Sequence, residues 1–185
     1  MYPSPWTAMP GFIAYDWVRH SGERTLRDVA ESMCMACNVR DDDILVGASL
    51  GGMVACEITR IRRIRMLFLI GSATSKDEVS PVLAALRPVV RIAPVDWLRC
   101  SARKLPFELT QMFGDAETPF VRSMCEAVFE WDGLGATETQ VYRIHGARDR
   151  VIPPPPRVDL LLEGGHLISM SHARECVEFV HSHAG

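Results

Sequence analysis

Two spacings alternate along the chain. Apolar runs of strand length occur over residues 11–15, 44–46, Met66–Ile70, Gln140–Gly146 and 158–162. Met66-Leu67-Phe68-Leu69-Ile70 contains no polar position, as expected of a strand covered on both faces of a parallel sheet. Between these runs apolar residues recur at helical spacing. Leu26, Val29, Ala30 and Met33 follow a Thr25 N-cap, Met53, Val54, Ala55 and Ile58 follow the second run, and further helices are predicted over 120–131 and from about Ser171 to His181. Strands alternating with helices predict an α/β fold, a mostly parallel central sheet with helices on both faces.

Residues 71 to about 140 break this rhythm. Pro81, Pro88, Pro94, Pro106 and Pro119 punctuate short amphipathic segments over 82–86, 95–102 and 107–113. The stretch is too long for one crossover helix, so 71–118 is expected to form a small helical cap or excursion within one domain spanning 1–185. Its Met, Phe and Trp residues suit an acyl pocket and suit the cap's own core equally well.

Composition narrows the classes of function. A chain of 185 residues, 48% of them hydrophobic, supports one sizeable core, and a net charge of −3 offers no bulk basic surface for nucleic acid or an anionic membrane. The longest apolar runs are far too short to span a bilayer, and residues 1–6 have neither a basic start nor an apolar stretch of signal-peptide length. A cytoplasmic location is the resulting expectation. The six cysteines are scattered and imply no disulfide framework. Cys34-Met35-Ala36-Cys37 has redox or metal spacing but no matching pair, so free thiols are expected. Asp41-Asp42-Asp43 reads as a solvated turn before a strand, and Arg60, Arg62, Arg63 and Arg65 as partners of a helix C-terminus.

The chemistry begins at Gly47-Ala48-Ser49-Leu50-Gly51-Gly52, which joins an apolar run to a helical pattern. Strand, sharp turn and helix around Gly-x-Ser-x-Gly is the signature of a nucleophile elbow. Small neighbours let the chain pass itself closely, lift the Ser49 hydroxyl off the sheet and aim the next helix's free N–H groups at an oxyanion. Two further groups fall just past predicted strands: Asp149 after the run ending near His145, and His166 after Gly164-Gly165. A hydroxyl needs an imidazole to take its proton, and the imidazole needs a carboxylate to fix its tautomer. Ser, Asp, His is the chain order that this scaffold requires. His145 is read as a packing residue, and His20, His172, His181 and His183 as surface groups.

These three motifs, with His145-Gly146-Ala147-Arg148-Asp149-Arg150-Val151-Ile152-Pro153 carrying the acid, resemble those of the α/β-hydrolase fold from about Gly11 onward. The likeness is greatest to small bacterial esterase-like members, including the group of the pimeloyl-carrier-protein methyl ester esterase. The resemblance implies Ser49 as nucleophile, His166 as general base and then acid, Asp149 as orienting carboxylate, and the Leu50 backbone N–H as an oxyanion donor. It implies a small ester or thioester substrate and neither metal nor organic cofactor. Asp77, a few residues past the Met66–Ile70 run, is the alternative acid that likeness to related hydrolases implies.

The resemblance also sets a puzzle. Related hydrolases carry further strands before the region of 11–15, one of which ends in the loop supplying the second oxyanion N–H. Nothing before Gly11 reads as that strand, so the fold is expected to be N-terminally truncated. The expectation is then that the strands at 11–15 and 44–46 pair directly, or that the sheet splits, or that the sequence starts late relative to the full gene product. The loss of one oxyanion donor typically costs about 10²–10³ in turnover. The alternative function is therefore a catalytically weak hydrolase-fold binding protein, for which an exposed central strand edge would favour a homodimer.

Overall fold

The computed structural model describes residues 3–80 and 118–185. The elements in order are α1 (Ser4–Ala8), α2 (Leu26–Ala36), β1 (Ile44–Ala48), α3 (Leu50–Ile58), β2 (Met66–Ile70), a 3₁₀ turn (Lys76–Glu78), α4 (Thr118–Glu130), β3 (Gln140–Gly146), β4 (Leu160–Leu162), α5 (Ile168–Ser171) and α6 (Ala173–Ala184). Thr25 caps α2 as its position predicts: its side chain accepts from Asp28 N at 3.1 Å, while the Asp28 carboxylate accepts from Thr25 N at 3.0 Å. Among the described residues the four strands form one wholly parallel sheet in the order β1-β2-β3-β4.

Alternation along the strands divides the apolar residues between two cores. Leu45, Leu67, Leu69 and Val141 face the layer of α2, α3 and α4, where Val29, Val54, Phe120 and Met124 pack. Phe68, Ile70 and Ile144 face the opposite layer, with Trp6 of α1 and Cys176 and Val180 of α6. Helices thus cover both faces, which is why β2 could dispense with polar positions. Trp6 is a buried tie that the sequence pattern did not announce: its indole N–H donates to the Ser169 carbonyl at 2.7 Å.

Residues 11–15 depart from expectation. They form no strand; Phe12 turns inward against Trp6 at 5.3 Å between ring centroids, while Ile13 is 67% exposed. An isolated extended segment cannot satisfy its backbone alone, and among the described residues no strand lies along the free edge of β1. The two runs therefore neither pair nor split the sheet. The last strand is also shorter than the apolar run suggests, Leu160–Leu162, because Asp159 breaks the ladder with its side chain. Its carboxylate accepts from Arg143 N at 2.7 Å while its own N–H donates to Arg143 O at 2.8 Å.

The short helices expected over 82–86, 95–102 and 107–113, and with them most of the 71–118 cap, lie outside the described residues. The helix predicted over 120–131 is α4. Its Phe120, Met124 and Ala127, with Trp131 beyond its end, belong to the buried core, and the Trp131 indole donates to Glu57 at 2.8 Å. Among the described residues no helix is long and apolar enough to cross a membrane.

Candidate active site

Ser49 sits between β1 and α3 with φ 50° and ψ −125°, a left-handed backbone that few side chains tolerate. The strain is sustained by its surroundings. Ser49 N–H donates to Ile70 O of β2 at 3.0 Å, and Ser49 O accepts from Gly52 N at 3.0 Å. The turn also demands close approach: a Cβ on Gly47 would lie 2.5 Å from Gly52 Cα, closer than any side chain permits. Leu50 opens α3, and its amide and that of Gly51 come before the first bond of the helix, which Gly52 N makes to Ser49 O.

Asp149 and His166 follow β3 and β4, at the same carboxyl end of the parallel sheet as Ser49. Asp149 lies just past β3, and its Oδ1 accepts from Val151 N at 2.8 Å and Ile152 N at 3.0 Å, which fixes the carboxylate plane. Its Oδ2 faces His166 Nδ1 at 2.8 Å. The Gly164-Gly165 approach to His166 packs on β3, where a Cβ on Gly146 would come within 2.6 Å of Gly164 O. His166 Nε2 in turn lies 2.8 Å from Ser49 Oγ. A carboxylate can only accept, so Nδ1 carries the hydrogen and Nε2 is left to accept from the serine hydroxyl. The Asp149 and His166 side chains have no solvent exposure.

The structure thus brings Ser49, Asp149 and His166 into one hydrogen-bonded row. Asp77 is elsewhere, exposed in the 3₁₀ turn, with its N–H bonded to Ser75 Oγ at 3.2 Å. His145 is fully buried in β3; burial, then the nearby Arg143 charge, lowers its pKa to about 4, against a hydrogen bond with the Ser72 backbone that raises it. His20, expected at the surface, is largely enclosed beside Glu23, with Nδ1 3.0 Å from Oε2. Burial pushes the Glu23 carboxyl upward, but hydrogen bonds from Ser21 and Ser32 outweigh it and bring it to about 2. Cys34 and Cys37 are free, and burial raises both thiols. Arg60 and Arg62 donate to carbonyls, Arg60 to Gly133 and Leu134 and Arg62 to Val39. Arg63 pairs with Asp42 at 3.0 Å.

Two neighbours of the row escaped the sequence reading. Gly71, at φ 53°, backs the Asp149–His166 pair, and a Cβ there would lie 3.0 Å from His166 O and 3.5 Å from Asp149 Oδ2. Trp17 reaches the elbow, about 4.0 Å from where a Gly51 Cβ would stand, and packs on Phe120 at 5.3 Å between centroids. An open groove of about 470 Å³ runs past Thr74, Arg143 and Asp159 but is lined by none of Ser49, Asp149 and His166.

Comparison with known proteins agrees with this architecture. The model of the alpha/beta hydrolase family matches residues 4–179, and the chain belongs to that family. A search of curated proteins finds no match. Among solved structures, a hydrolase from Pseudomonas aeruginosa PA01 superposes with TM-score 0.67 at 17% identity, covering 91% of this chain and 75% of that one. A thermophilic esterase from Thermogutta terrifontis gives TM-score 0.59 at 18% identity over 87% and 72% of the two chains. The esterase RhEst1 from Rhodococcus sp. ECU1013 gives 0.55 at 18% identity over 85% and 70%. At such identities these likenesses establish the fold. They do not single out the pimeloyl-carrier esterase group.

Proposed function

We propose that the protein is a serine hydrolase of small carboxylic esters or thioesters. The observation that carries the reading is the unbroken row Asp149–His166–Ser49, with both links at 2.8 Å. As Ser49 Oγ attacks the acyl carbon, His166 Nε2 takes its proton and Asp149 stabilises the resulting imidazolium. Negative charge develops on the carbonyl oxygen, where the Leu50 N–H at the start of α3 is the donor. Collapse breaks the bond to the alkoxide or thiolate, which takes the proton back from His166 and leaves an acyl group on Ser49. Water then repeats the sequence in reverse and releases the acid. Water is the only co-reactant these steps require, and esterases among the structural relatives support the substrate class.

Intact-mass spectrometry after fluorophosphonate treatment tests the proposal. One adduct is expected on the wild-type chain and none on Ser49→Ala. His166→Ala should be labelled only marginally, since losing either member of such a pair removes on the order of 10⁶ in turnover. No adduct on folded wild-type protein would instead favour a hydrolase-fold binding protein.

A further inference from the structure

Immediately after β2 the chain runs Gly71-Ser72, and Ser72 is fully buried, with no part in the acid–base row. Its hydroxyl donates to the Ser49 carbonyl at 2.7 Å, the shortest bond which that carbonyl receives besides those from Gly52 N at 3.0 Å and Met53 N at 3.4 Å. Its own carbonyl accepts from Arg143 Nη2 at 3.1 Å. Arg143 is gripped in turn by Glu78, with Nη1 to Oε1 at 2.8 Å and Nη2 to Oε2 at 2.7 Å. Glu78 also accepts from Thr74 N at 2.7 Å, which closes the loop back onto the segment after β2. Burial raises the Glu78 carboxyl, yet the hydrogen bonds from Arg143 and Thr74 hold it below its usual range.

We infer that Ser72 is a positioning residue for the nucleophile, clamped by the Arg143–Glu78 pair; the inference rests on the serine hydrolase reading. Backbone strain at Ser49 persists only where its surroundings over-determine it. Ser72 supplies that constraint at the carbonyl, the atom whose direction sets ψ and with it the aim of the Leu50 N–H. The two parallel charge-assisted bonds to Glu78 fix the Arg143 guanidinium, which holds the Ser72 carbonyl through one bond at 3.1 Å. Gly71, one residue before, backs Asp149 and His166. One dipeptide therefore references both halves of the row to the same strand end. Ser72 acts through Ser49 and touches no reacting atom.

The test compares wild type with Ser72→Ala in fluorophosphonate labelling and in hydrolysis of p-nitrophenyl butyrate across the neutral pH range. Loss of one well-aimed hydrogen bond should slow labelling and kcat about tenfold. KM should hold within about twofold, and the pH midpoint should not move, because the His166–Asp149 pair is untouched. Arg143→Lys keeps the Ser72 hydroxyl and the positive charge but loses the fork. It should show the same kcat-against-KM split in smaller measure, and it decides the matter if Ser72→Ala fails to fold. Wild-type labelling with an equally fast Ser72→Ala overturns the positioning role alone, as does a rise in KM with kcat intact. A folded wild-type chain that takes no label overturns the hydrolase reading and this role with it.

Discussion

Two buried histidines stand near the end of β3, and their environments are opposites. His166 is held on a glycine-flanked loop, with Asp149 on one ring nitrogen and Ser49 on the other. His145 lies within the strand, equally shielded from water, with neither a carboxylate nor a hydroxyl bonded to its ring. Burial alone therefore does not give an imidazole a partner on each ring nitrogen. What differs is whether the surrounding backbone delivers a carboxylate to one side and a hydroxyl to the other. His145 is enclosed by packing and kept neutral; His166 is enclosed by partners that give it a tautomer and a direction.

The largest effect that sharpens this contrast is expected at Asp149. Asp149→Asn preserves shape but lets the amide dictate the wrong imidazole tautomer, so kcat should fall on the order of 10⁴-fold with little change in KM. Steady-state kinetics on a chromogenic ester would show it, and a loss under tenfold would break the contrast by demoting Asp149 to a structural group.

Acid unfolding separates the two histidines next. His145 has a folded pKa of about 4, below its ordinary 6.5, so the unfolded chain binds the extra proton more readily. The stability it contributes is complete above pH 6.5 and drains away as pH falls toward 4. Glu23, at about 2 against 4.5, adds a second loss that starts lower, as pH falls from 4.5 toward 2. Tm measured against pH should therefore decline in two overlapping stages.

His145→Leu is the smallest and the most discriminating perturbation. A residue of similar volume without polar atoms should flatten the upper stage of that decline while leaving the stage due to Glu23. Turnover at neutral pH should stay within about threefold of wild type. A collapse of activity with the fold intact would mean that His145 belongs to the chemistry after all.

The row itself was legible because each member announces itself locally. Ser49 has its glycines, Asp149 follows a strand, and His166 follows Gly164-Gly165. The signals survive in sequence because turns and close approaches leave few residue choices. Thr25 was legible in the same way, as an N-cap, whereas the answering Asp28 carboxylate emerges only in the structure. Ser72, Arg143 and Glu78 were not: an arginine in mid-strand and a serine after a strand are ordinary residues until the pairing of β2 with β3 sets them side by side. Residues 11–15 mislead for the reverse reason. Their composition suits a strand, but a strand is a property of two segments, and its partner is missing from the described residues. His20 looked like a surface residue because nothing in the sequence tells that Glu23 folds back over it.

The distance along the chain between Ser49 and His166 has a consequence for how the protein is made. The two are 117 positions apart, while His166 and Asp149 are only 17 apart. During synthesis the elbow leaves the ribosome long before its base exists, and β1, α3 and β2 can assemble locally while the hydroxyl remains inert. On the proposed serine hydrolase reading, reactivity arrives only when β3 and β4 dock, so a nascent or clipped chain is expected to be chemically silent. Labelling of Ser49 would then count finished molecules, a readout of completed folding supplied by the protein itself.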